Sequence, residues 1–399
     1  MHALLQAAAR NLQIASVKLR QKTLILSAIA ISTGLSIGFH AVRAGEPKAV
    51  KAGPGATGRA AVLPEERSRS EVEALISRVG STVPEWWSGV TVNHPETLDL
   101  RWPEPPPTKD WDPSRNVGQF IWSVINENPS RWREGVKFLH GLLPLHKDDP
   151  VKLWRVMNAL ATMYDTLLED HARAAFWWQK ALKIYPDRAN TKLALAECYW
   201  KLGSRKMAEE ILEKLGADFT RHGNVIKLWS DIGNLERALK LAEGMAAAGY
   251  PDIGYLAAGD ACRLAGKYDR AAAYYQKVID ATKGWNDIER NKKRASASLE
   301  AIRLFDALDV KKVRDGTYRG SSIGYEAPIE IEVTVRAGRI TDLRVTSHRE
   351  KQFYSALTDT PRRIIAKQSV KGIDATSSAT ITSEAIINAT AKALAEGMR

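Results

Sequence analysis

Apart from Glu384 near its end, seven side chains in the stretch GIDATSSATITSEA (372–385) can bond or react: Asp374, Thr376, Ser377, Ser378, Thr380, Thr382 and Ser383. The acid near its start, Asp374, sits among small hydroxyls and methyls, with nothing bulky to shield them. Hydroxyls in that setting do one of two things. Thr382 or Ser383 can cap a helix, here predicted from about 383 to 396. Alternatively, one hydroxyl is left open for chemistry. The residues alone leave both open.

The other candidates for chemistry are sparse. Cys198 and Cys262 lie far apart, with no C-x-x-C-H for haem and no thiolate cluster for zinc or iron–sulfur. Both fall in helical patterns at positions facing a neighbouring helix, so they read as buried small hydrophobes. His140 and His146 stand near Asp148 and Asp149, but the spacing fits no structural zinc pattern and Pro144 interrupts the helical face, so no metal is expected. ERNKKR (289–294) reads as a solvated helix face.

The chain has 399 residues and a formal net charge of +12. Before residue 52 there are seven basic residues (Arg10, Lys18, Arg20, Lys22, Arg43, Lys48 and Lys51) against Glu46, so half the excess lies in one flank. The rest is mixed in sign and carries no aromatic-basic motif, which argues against nucleic-acid binding. That flank contains residues 24–42, a 19-residue run free of acids, Lys and Arg, which at 1.5 Å per residue spans roughly a hydrocarbon core. Residues 1–44 are thus expected to be a membrane anchor, or a cleaved signal peptide with Val42 and Ala44 as the small pair. Either places the bulk of the chain outside the cytoplasmic membrane: single-pass in the inner membrane and facing the periplasm, or free in the periplasm.

Residues 45–116 read as a linker, flexible to about Pro64 and then a strap rich in Trp and Pro, with Trp86, Trp87, Trp102 and Trp111 packing on the next domain. From 117 to 309 the pattern is helical and repeats. Ala174, Ala208, Ala238 and Ala271 recur at spacings of 34, 30 and 33, near the period of tetratricopeptide helix pairs. In the clearest unit Tyr255, Ala258, Gly259 and Cys262 mark the first helix, Gly266 the turn, and Ala271 and Tyr275 the second. Small residues let the paired helices approach, Trp178 and Tyr275 fill the next groove, and Pro186 stops a helix. This resembles tetratricopeptide repeats, which implies an all-α solenoid whose concave groove takes a protein or peptide.

After Val313 the period becomes that of a strand. Ile329, Ile331, Val333 and Val335 alternate with Glu330, Glu332 and Thr334, Ala337-Gly338 makes a turn, and Ile340, Leu343 and Val345 return. TDTPRRIIAKQSV comes next, read as a helix with Thr360 as N-cap and Pro361 in its first position. Residues 312–399 are therefore expected to be a small α+β domain, and the whole chain multidomain.

That domain combines D-A-x-S-x-A-T-x-T-S before its last helix with DGTY-x-G-x-x-x-GY-x-x-PI before its strands. In that order, the two blocks resemble the FMN-binding domain of the small flavin subunits of the sodium-pumping NADH:quinone oxidoreductase and Rnf complexes. The resemblance runs from Asp315 to about Leu394. It implies a flavin transferase that joins the phosphate of FMN to Thr380, the last residue of Ser377-Ser378-Ala379-Thr380. Asp374, Ser377, Ser378, Ala379, Thr382, Ser383, Gly324 and Tyr325 would then surround the cofactor, with hydroxyls of Ser377, Ser378 and Thr382 on the phosphate. Ser378 and Ala327 stand where the family has glycine. A positive φ at 378 would cost serine roughly 1 kcal/mol or more. The implied function is electron transfer outside the membrane through a covalent FMN, with redox partner proteins or a quinone as donor and acceptor. An envelope scaffold, unflavinylated or holding FMN non-covalently, is the alternative. No catalytic acid or base for an organic substrate is evident, so an electron carrier is favoured over a stand-alone enzyme.

Overall fold

Ser68 begins a helix inside the stretch expected to be linker. Its side chain accepts from the Glu71 N–H while the Glu71 carboxylate takes the Ser68 N–H, a reciprocal cap that starts α1 (Arg69–Gly80). Val72 and Ile76 are buried on its inner face. The computed structural model describes residues 66–106, 109–215, 223–284, 288–325, 327–350, 354, 356–373 and 379–398. The apolar run 24–42, Asp374, Thr376, Ser377 and Ser378 lie outside them. Among the described residues no helix is long and apolar enough to cross a membrane.

After the Trp-rich strap come α2 (Val117–Phe120), a π-helical turn Ile121–Asn126 and α3 (Trp132–Leu145). Trp102 is buried under the Arg155 guanidinium, and Trp87 packs edge-on against His140. Trp111 departs from the strap expectation: it is 59% exposed, with its indole N–H donated to Ser123. His140 sits among Trp87, Tyr164 and Trp177, and burial lowers its pKa to about 4. His146 bonds the Leu100 carbonyl, and Asp149 caps the next helix.

Four helix pairs follow: α4 (Pro150–Thr166) with α5 (His171–Ile184), α6 (Ala189–Lys201) with α7 (Arg205–Glu213), α8 (Gly223–Asp231) with α9 (Leu235–Ala247), and α10 (Pro251–Leu264) with α11 (Tyr268–Asp280). Ala174, Ala208, Ala238 and Ala271 are all fully buried where the paired helices meet. A Cβ on Gly259 would stand 2.6 Å from the Tyr275 ring, so this glycine is needed for the close approach. The turns between paired helices use a left-handed residue: Gly203, Gly233 and Gly266, and Glu169 in the first unit, where the turn is one residue longer. Cys198 and Cys262 are fully buried, and burial pushes the Cys198 thiol well up, away from nucleophile chemistry.

Helix α12 (Ile288–Phe305) leads into an antiparallel sheet of β1 (Gly316–Ile323), β2 (Pro328–Arg336) and β3 (Arg339–Ser347), in that order. Ile329, Ile331, Val333 and Val335 are fully buried, each worth about 1.5–3 kcal/mol relative to exposure, which makes β2 the core strand. Ala337 and Gly338 turn the hairpin with φ of 49° and 67°. The register shifts beside Thr334/Val335, so Ile340 and Leu343, three apart, both reach the core. Helix α13 (Ala356–Lys367) packs on β3, and α14 (Thr380–Gly397) crosses β1 and β2. Helix α13 starts a turn before the expected point. Pro361 lies inside it, and Thr360 is fully buried rather than capping.

Candidate functional site

Helix α14 begins without a side-chain cap. Its N-cap is Ala379, which has no acceptor to offer, and the first backbone bond runs from the Ser383 N–H to the Ala379 carbonyl. The N–H groups of Thr380, Ile381 and Thr382 are left with no acceptor inside the helix, at the positive end of an 18-residue dipole. Thr382 and Ser383, the caps suggested by pattern, lie inside the first turn and are buried. Thr380, at the first helical position, is half-buried, and its hydroxyl has no hydrogen-bond partner among the described residues.

The Thr382 hydroxyl donates to Glu350 Oε2 at 2.6 Å, so its hydrogen is committed to a carboxylate rather than to a phosphate. The Tyr325 N–H donates to the other oxygen of Glu350 at 2.9 Å. A single buried carboxylate thus joins the start of α14 to the Gly324-Tyr325 turn. Gly324 is required there: a Cβ would fall 2.5 Å from the Ala327 carbonyl and 2.7 Å from Glu350 Oε1.

Aromatic rings flank Glu350. Its N–H donates to His348 Nδ1 at 3.2 Å, and Tyr354 lies 6.1 Å from the His348 ring and 5.6 Å from Trp132 at the start of α3. Burial, with Glu127 and Glu350 nearby, pushes the Tyr354 hydroxyl up to about 12. On the other side the Arg290 guanidinium lies 4.5 Å from the Tyr325 ring centre and donates to the Tyr325 carbonyl.

Arg290 belongs to ERNKKR, which is solvated only in part: Glu289 and Lys293 are exposed, whereas Arg290 and Arg294 bind other elements. Its Arg294 forms a 3.0 Å ion pair with Glu384, one turn along α14 from Thr380, and lies 3.9 Å from Asp260 on α10. Asp260 accepts from the Tyr275 hydroxyl; burial and Glu384 push it up to about 8. Arg263 donates to Asn388 at 2.9 Å. The last helix is therefore bound to the repeat region through buried charge, which the spacing of those residues in the sequence does not reveal.

The residues fit a flavin mononucleotide on three counts. The first turn of α14 offers N–H groups to a phosphate, and among the described residues neither the half-buried Thr380 hydroxyl nor the buried Ser322 Oγ has a hydrogen-bond partner. Ser322 lies on the same face of β1 as Gly320, whose position abuts Ala389 of α14. The domain also holds a cavity of about 660 Å³ lined by Val370, Lys371, Arg339 and Leu394. That cavity is at the far end of α14, about 20 Å from Thr380 at 1.5 Å per residue.

Comparison with known proteins agrees with this division. A family model described as FMN-binding domain matches residues 324–395, and one described as tetratricopeptide repeat matches residues 167–228. The C-terminal unit is an FMN-binding domain preceded by a repeat region of tetratricopeptide type. A Treponema pallidum (strain Nichols) protein, described as uncharacterized, is 35% identical over 85 residues, 21% of this chain and 23% of the relative. The chain thus spans about a quarter of that relative's length.

Proposed function

We propose that this flavin-binding protein is an electron carrier outside the cytoplasmic membrane, holding FMN through a phosphoester on Thr380. The observation that supports this best is the start of α14: a half-buried hydroxyl at its first position, three N–H groups behind it without intrahelical acceptors, and no side-chain cap among the described residues. Bound there, FMN supplies one- and two-electron redox chemistry. Attachment forms the Oγ–P bond, expels the leaving group of an activated flavin phosphate and passes the hydroxyl proton to a base of the flavin transferase. In this chain Ala379 leaves room, the first-turn N–H groups take phosphate oxygens, and Glu350 fixes Thr382 and the Gly324 turn. Asp374, Ser377 and Ser378 would complete the phosphate side or serve the transferase. The repeat groove docks redox partner proteins, or a quinone-reducing partner, and the 24–42 run tethers the chain to the inner membrane. The test is to purify the exported chain from cells with the transferase, reduce it chemically and mix it with a quinone or an electron-transfer protein. A flavin band that bleaches and returns on mixing is expected. A colourless chain from the same cells would favour an unflavinylated scaffold.

A further inference from the structure

Two side chains from outside the FMN-binding domain pack on aromatic residues of its candidate site. Trp132, at the first residue of α3, meets Tyr354 with ring centres 5.6 Å apart. Arg290, on α12, lies 4.5 Å from the Tyr325 ring centre. Glu350 links the two contacts: it is bonded to Tyr325 and Thr382, and its N–H donates to His348, whose ring meets Tyr354. The sequence separates Trp132 from Arg290 by the four repeat units, yet Arg290 packs on Tyr325, whose N–H the Glu350 carboxylate accepts, and Trp132 packs on Tyr354, which meets the His348 ring that accepts the Glu350 N–H. The Trp132 indole N–H is already donated to the Asn126 carbonyl at 3.0 Å, so the ring is held in orientation and is only half-buried. What it offers is an aromatic face. Arg290 offers a fixed positive charge.

We propose that the helical region completes the flavin pocket, with Trp132 giving an aromatic wall and Arg290 a cation beside the isoalloxazine. This rests on the Thr380 reading, because the phosphate position at α14 puts the rest of the cofactor within reach of the Glu350 cluster. A large planar ring system gains from stacking or edge contact with aromatics. Negative charge arriving on the ring when it accepts electrons is stabilised by a nearby guanidinium. In this arrangement a partner held by the repeats acts on the same helices that wall the cofactor.

The test compares transferase-labelled full-length parent, Trp132→Phe and Arg290→Gln. Phenylalanine preserves packing against Tyr354 but is a poor electron donor to an excited flavin. Flavin fluorescence of the denatured chains gives occupancy and is expected to be equal. Native fluorescence per bound flavin is expected to rise in Trp132→Phe, and the midpoint potential to shift downward in Arg290→Gln. A purely structural role moves neither readout while melting curves remain alike. Labelled variants with native fluorescence and potential equal to the parent overturn this proposal and leave the attachment at Thr380 standing. A parent that takes no label overturns both.

Discussion

Glu350 accepts from a part-buried backbone N–H and a buried hydroxyl 25 and 32 residues away, so removing it takes the acceptor from both donors. Each such loss costs about 1–3 kcal/mol. Glu350→Ala is therefore expected to lower the denaturant midpoint of the full chain and to reduce flavin attachment, whereas Glu350→Gln keeps an acceptor and loses less. Equal midpoints for parent and Glu350→Ala would contradict the role assigned to this carboxylate. The expectation at Thr380 rests on local sequence alone: small residues and a helix sit within ten positions of it. Glu350 is not legible in the sequence, because its partners are distant in the chain and a lone acid after a strand carries no pattern. Thr382 shows the converse error, a hydroxyl assigned to phosphate by proximity in sequence that instead donates to a carboxylate.

At the level of elements, the alternation in β2 and the alanine spacing of the repeats identify the strands and paired helices, since burial enforces both periods. Helix α1 is hidden in a stretch classed by its Gly and Pro content, although Ser68 and Glu71 mark its start. The pattern places the start of α14 three residues late because threonine and serine resemble caps wherever they precede a helix. Glycine positions give a sharper test of this packing. A Cβ on Gly320 would fall on the Ala389 carbonyl, so Gly320→Ala must push α14 off β1. A loss of about 1–3 kcal/mol is expected from such overpacking. Gly244, inside α9 with nothing within 4 Å of its would-be Cβ, is expected to gain about 0.5–1 kcal/mol as alanine. Thermal melts of the two variants that moved in the same direction would refute the packing described for α14.

For the whole molecule, the flavin domain and the repeats share a buried network rather than a loose joint. Arg294 serves both Glu384 and Asp260, and its side chain is only 12% exposed. Arg294→Ala leaves two carboxyls without their cation, an effect on the order of 3–5 kcal/mol for a broken buried pair. The expected result is a separate, earlier unfolding step of the flavin domain in denaturant, partly recovered by adding Glu384→Gln. A single transition unchanged from the parent would show that the network does not join the domains. None of this is legible in the sequence, because a run such as ERNKKR is read as solvated until a partner surface is known, and the partners here are Asp260 and Glu384.

The attachment of FMN to Thr380 is tested most directly by peptide mass after full denaturation. Chain co-expressed with a flavin transferase is unfolded, freed of small molecules and digested. The peptide containing Thr380 is expected to carry FMN less one water, to lose it in Thr380→Ala and to retain part of it in Thr380→Ser. Ser378→Gly is expected to label at least as well as the parent, since glycine tolerates any φ that position requires. A modified peptide that persists in Thr380→Ala, or an unmodified peptide in the parent, would contradict the account.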